Sequence, residues 1–208
     1  AAFCGLSFLL AIKITSKLNN FILHQFGGLH KLWDIPTTFN YVELSTSNFS
    51  TFSNEYALLI QSIGAELDSF FKLYCSFDFN ERKNISHYAN VILANEPDIV
   101  NIELNILSKQ LSIKPFESWS LNHPAQSLVW WQSYDNIKHS RTANFTDSSL
   151  KNTLYILGAL YILESKYLVK IVDVSCEPDI PNEESHLFRF KNPINQVNSM
   201  RNIFMFPR

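Results

Sequence analysis

The stretch Tyr56-Ala57-Leu58-Leu59-Ile60-Gln61-Ser62-Ile63-Gly64-Ala65-Glu66-Leu67-Asp68-Ser69-Phe70-Phe71-Lys72-Leu73-Tyr74 decides the fold of this chain. Tyr56, Leu59, Ile60, Ile63, Leu67, Phe70, Phe71 and Tyr74 recur at steps of three and four, the repeat of one helical face. A half-buried strand would alternate at every second residue instead. Glu66 stands beside the apolar stripe. A carboxylate there either reaches water or meets a buried partner, and the pattern alone favours water.

Working outward, Ser45 to Asn54 offers several caps for this helix. Before it, Leu6–Phe26 reads as a helix stopped by Gly27-Gly28, and Tyr41–Leu44 as a short strand. After it, Ser86–Ala94 reads as a short helix ended before Pro97. The period then changes. Val100, Ile102, Leu104 and Ile106 alternate with polar residues, and Leu111-Ser112-Ile113 resumes the alternation after a polar turn, which predicts a β-hairpin ending near Pro115. A further helix begins near Pro124 or Ser127 and runs to about His139. The last one runs from about Ser148 to Val169. Its middle, Leu154–Leu163, is apolar nearly all round, so it is either central in a bundle or membrane-spanning. Lys151 and Glu164 bound it too closely for a span of ~20 apolar residues, which leaves the buried central helix. The tail from Asp173 carries several prolines and an apolar end, Ile203-Phe204-Met205-Phe206, and reads as an arm.

The expected class is therefore mainly α with a small inserted β-hairpin. Residues 1–44 form an N-terminal helix and connector, 45–172 a helical domain with the hairpin near 99–114, and 173–208 a C-terminal arm. The 208 residues are 46% hydrophobic and 14% aromatic, ample for a real core. A net charge of −2 argues against a broad nucleic-acid surface, though not against a small site reading one phosphate group. Cys4, Cys75 and Cys176 are odd in number and scattered, which gives neither a disulfide framework nor metal spacing and fits reduced thiols in the cytoplasm. No metal and no cofactor is expected. Ala1–Ile12 is apolar but too short to span, and it lacks a basic leader; an anchor lying upstream is the weakest reading. Three Asn-x-Ser/Thr triplets, at Asn48, Asn84 and Asn144, are no more than chance gives in an Asn- and Ser-rich chain.

Chemistry concentrates in Trp130-Trp131-Gln132-Ser133-Tyr134-Asp135-Asn136-Ile137-Lys138-His139-Ser140-Arg141. The tryptophans point to different sides of a helix. One fills the core, and the other covers a neighbouring element or lines a dimer seam. Asp135 and His139, four apart, share a helical face, so the carboxylate can orient the imidazole. Lys138 and Arg141 add positive charge within a turn. Cations at a helix C-terminus are favoured by the helix dipole with no function needed, so a solvated helix end is the bland reading. The functional reading is a phosphodiester site. His139 serves as general acid or base, Asp135 or Glu66 as the orienting carboxylate, Lys138 and Arg141 as phosphate ligands, and Asn136 as a donor to RNA.

The segment Trp130-Trp131-x-x-Tyr134-x-Asn136-x-Lys138-His139-x-Arg141, followed by Asn144-Phe145 and a long apolar helix, resembles HEPN-like proteins. The resemblance extends upstream through Asn48-Phe49-Ser50-Thr51, the helix with Glu66, Leu67 and Lys72, and Lys114-Pro115-Phe116, covering roughly Tyr41 to Leu168. It implies an up-and-down helical bundle, frequently a homodimer, whose active members are metal-independent endoribonucleases of toxin–antitoxin, anti-phage and RNA-processing systems. Their motif is Arg, usually followed by Asn, Asp or His, with His a few residues later, and two copies face each other across the dimer. His139 matches that histidine and Asp135-Asn136 the polar pair, with Asn144 as a further RNA contact. The position of the arginine falls at about Tyr134. The alternative expectation is a non-catalytic dimerisation or protein-interaction module.

Overall fold

The computed structural model describes residues 39–107, 109–175 and 187–192, with only the backbone of 168–175. The helix expected at Leu6–Phe26, its glycine stop and the apolar end near Ile203 lie outside these residues. The chain divides into two compact units, Ala1–Glu43 and Leu44–Arg208, and every element below belongs to the second. Among the described residues the protein is mainly α, with one small antiparallel sheet. Residues 41–44 form a turn, a bend and irregular chain, not the expected strand. So short a run holds a strand only with a ladder partner, and no described strand pairs there.

Helix α1 spans Asn54–Tyr74. Ser53, extended at φ −153°, caps it by accepting from the Tyr56 amide, and Glu55 adds a carboxylate in the first turn. The anticipated stripe is the buried face, from Tyr56 through Ile60, Ile63 and Leu67 to Tyr74. The helix closes with Ser76 N–H donating to Leu73 O and Phe77 N–H to Lys72 O. This double closure places Ser76 at φ 58°, a left-handed position usually given to glycine.

Helix α2 (Ile85–Asn95) is capped reciprocally by Asn84 and His87. Pro97 then starts a 3-10 turn over Pro97–Asn101, so the strand spacing read from Val100 is realised only from Leu104. Helices α3 (Val129–Ser140) and α4 (Leu150–Ser175) complete the bundle, and α1, α3 and α4 pack on one another. A Cβ on Gly64 of α1 would overlap the Tyr134 ring of α3, so the glycine permits the close approach of these helices. Leu154, Ile156, Ala159, Leu160, Ile162 and Leu163 of α4 are all buried, in keeping with a central helix. No helix among the described residues is long and apolar enough to cross a membrane.

Strands β1 (Leu104–Ile106) and β2 (Leu111–Ile113) form the hairpin, in register Leu104 to Ile113. A third strand, β3 (Phe188–Phe190), pairs antiparallel on the other side of β1, giving the order β2-β1-β3. This part of the C-terminal arm is thus an element of the sheet. Tyr161 of α4 stacks on Phe190 at 5.2 Å and lies 5.9 Å from Phe188, fixing the strand to the bundle. Lys191 closes the edge on Glu103 at 2.8 Å.

Candidate functional site: the C-terminal end of α3

Both tryptophans of α3 are core residues, 2% and 8% exposed. Trp130 donates its indole N–H to Pro115 O at 2.7 Å and meets Phe116 edge-on, locking α3 to the exit of the hairpin. Trp131 meets Phe71 of α1, which in turn stacks on Tyr88 of α2. Neither ring is left to line a dimer seam. Tyr134, at the position matched to the family arginine, is 5% exposed against Gly64. Its place is a packing position between α3 and α1.

Beyond these packed turns α3 emerges with its polar end. His139 Nε2 lies 3.3 Å from Asp135 Oδ1, and the two side chains are 72% and 58% exposed. The spacing read from the sequence therefore gives a real contact, on the outward side of the helix. An exposed pair of this kind contributes only ~0–1 kcal/mol to stability. Lys138 is exposed, with its ammonium 5.4 Å from the centre of the Tyr134 ring.

Arg141 is turned elsewhere. Residues 139 and 141 lie about 160° apart around a helix axis. Arg141 accordingly reaches back to α1, donating from Nη2 to Asn54 Oδ1 at 2.7 Å, and lies over the Phe145 ring at 5.8 Å. The structure thus brings Asp135 and His139 together and places Arg141 on another side of the same helix end. Lys138 lies on the side between them.

The two asparagines expected to contact RNA hold the site's frame. Asn136 donates from Nδ2 to Asp147 Oδ2 at 2.9 Å. Asn144 donates from Nδ2 to the carbonyls of Asn136 and Ser140, closing the end of α3. A buried residue that the sequence reading did not single out completes the frame. Asn152 of α4 donates to Ser133 Oγ at 2.8 Å and to Asp147 O at 2.9 Å. Its signal was a polar residue at the start of an apolar helix.

Glu66 is not brought to the histidine. It is half-buried on α1 beside Glu164 of α4, and burial raises its carboxyl above the usual range. Glu164 lies roughly 18 Å along α4 from Asn152, the residue that touches α3. Glu66 therefore belongs to the far part of the α1–α4 seam. Among the described residues no three His, Cys, Asp or Glu side chains converge as metal ligands. No family model, no curated protein and no solved structure matches this chain.

Proposed function

We propose that this chain is a HEPN-like helical protein that binds RNA at the C-terminal end of α3 and cleaves it without a metal, in bacterial defence or stress. The observation that carries this reading is the solvent-open contact between Asp135 and His139, on a helix whose last turn also carries Lys138. In cleavage by the neighbouring 2′-hydroxyl, a base removes the hydroxyl proton as the oxygen attacks phosphorus. The bond from phosphorus to the 5′-oxygen then breaks and an acid protonates the leaving oxygen. His139 is the proton-transfer group, and Asp135 holds its ring. Lys138 supplies charge to the crowded phosphate, and Arg141, on another side of the helix end, is a ligand for a further phosphate of the strand. A cytoplasmic homodimer, with two α3 ends facing, would supply a second set of these groups. The test is cleavage of a labelled RNA in the presence of chelator. His139→Ala should lower the rate by roughly 10²–10⁴. Equal cleavage by the variant and the wild type would remove the catalytic role.

A second reading is a non-catalytic interaction module. It is favoured by the burial of Tyr134 and by the structural ties of Asn136, Asn144 and Arg141. It expects no RNA cleavage by the wild type, and a dimer or a protein complex in light scattering.

A further inference from the structure

The segment before α1 and the connector after α3 meet beside the Arg141 guanidinium. Thr51–Ser53 is held extended along the start of α4. Leu150 N–H donates to Thr51 O at 2.8 Å, Ser53 N–H donates to Ser148 O at 3.2 Å, and Phe52 forms a bridge with Ser149. Residues on either side of an extended residue face the same way, so Phe52 and Asn54 flank Ser53 on one side. Both meet the end of α3 and its connector. Asn54 accepts from Arg141, and Phe52 meets the Phe145 ring edge to face, at 5.4 Å and 80°. Arg141 lies over that same Phe145 ring.

Phe52 is 45% exposed although its backbone is pinned on both sides. A phenyl ring buried for packing alone would be turned inward. Here a firmly mounted, partly exposed ring meets Phe145, the ring over which the Arg141 guanidinium lies. Asn54 takes one of the five guanidinium N–H groups, and the rest are available to a phosphate oxygen. An aromatic face with an adjacent cation is the chemistry that holds an unpaired nucleotide, the base on the ring and the phosphate on the cation.

We propose that Phe52, backed by Phe145 and linked through that ring to Arg141, is a stacking subsite for one base of single-stranded RNA. Arg141 then takes the phosphate of a neighbouring nucleotide, while Asp135 and His139 meet the strand on another side of the helix end. A duplex cannot use the subsite, because its bases are already stacked on one another. The inference rests on the RNA reading above and narrows it to unpaired substrate, with preference for purines, which offer the larger face.

The test is fluorescence anisotropy of the full chain with labelled oligoadenylate, with oligouridylate and with a duplex of matched length. The wild type should bind oligoadenylate more tightly than oligouridylate, and both more tightly than duplex. Phe52→Ala should weaken single-strand binding roughly ten-fold and leave duplex binding unchanged. Phe52→Trp should restore or exceed wild-type binding. Arg141→Lys should weaken binding of single strands while keeping the charge, because a point charge replaces the planar fork. Thermal melts of each variant separate loss of binding from loss of fold. Wild-type affinity for single strands that survives in Phe52→Ala and is unaltered in Phe52→Trp overturns the subsite and leaves the RNA reading standing. Absence of binding to any of the three RNAs overturns both.

Discussion

Burial in the α1–α4 seam, with the Glu66 carboxylate near it, pushes the Glu164 carboxyl up to about 8 from an ordinary 4.5. Between those values the folded chain keeps a proton that the unfolded chain has released. Stability is therefore full below about 4.5, falls as pH rises toward 8 and is level above it. Glu164→Gln keeps the neutral form at every pH. It should flatten that slope and raise stability at pH 8 by roughly 1–3 kcal/mol, less than a full desolvation penalty because the side chain keeps some contact with water. Urea midpoints at pH 5 and pH 8 check this, and a slope unchanged by the variant would count against it. Ser76 carries a second local cost, since a side chain at φ 58° strains a position that glycine occupies freely. Ser76→Gly should stabilise the end of α1 by about 1 kcal/mol, read as a higher urea midpoint with an unchanged m-value. Neither cost was legible in the sequence. Glu164 read as the boundary of an apolar run, and nothing local to Ser76 distinguishes a left-handed serine from a loop serine.

At the scale of elements, the end of α3 is held by side chains that could equally have been ligands. Asn144 satisfies two carbonyls of α3, and Asn152 joins Ser133 of α3 to the Asp147 carbonyl. Asn144→Ala should cost about 1 kcal/mol by freeing these acceptors, and should leave affinity for single-stranded RNA unchanged once the variant is folded. A loss of affinity without loss of stability would instead mark Asn144 as an RNA contact. The comparison of sequence with structure is clearest here. Helix α1 was legible from apolar residues at helical steps and α4 from its long apolar run, and the contact of Asp135 with His139 in α3 followed from their spacing within one helix. The partners of Arg141, Asn136 and Asn152 were not, because each lies on another element and no spacing rule reaches it. Tyr134 shows the same limit. Its burial depends on Gly64 of α1, which in sequence reads only as a tolerated glycine within a helix.

For the whole molecule, the elements are joined at two places far from the end of α3. One is Glu96, which accepts from the Tyr74 hydroxyl at 2.5 Å and pairs with Lys166 at 2.8 Å, tying α1, the end of α2 and α4 together. Burial and this carboxylate raise the Tyr74 phenol far above its ordinary value, so it stays a neutral donor. The other is β3. Its three residues escaped the sequence reading because they lie among prolines and pair with a strand distant along the chain. Yet Phe188 is 2% exposed, and β3 converts β1 from an edge into the central strand of the sheet. An unpaired β1 would present a row of free amides and carbonyls, an invitation to pair with other chains. Phe188→Ala should therefore act on the whole domain, costing roughly 3–5 kcal/mol, a large fraction of the stability of an ordinary domain. In urea unfolding its midpoint should drop sharply, and at high protein concentration the variant should aggregate. Arg189, exposed between the two phenylalanines, supplies the contrast: Arg189→Lys keeps the charge and most of the reach and should change stability by less than ~0.5 kcal/mol. If both variants unfold like the wild type, β3 is an ornament of the bundle. If only Phe188→Ala collapses, β3 is integral to the folded domain.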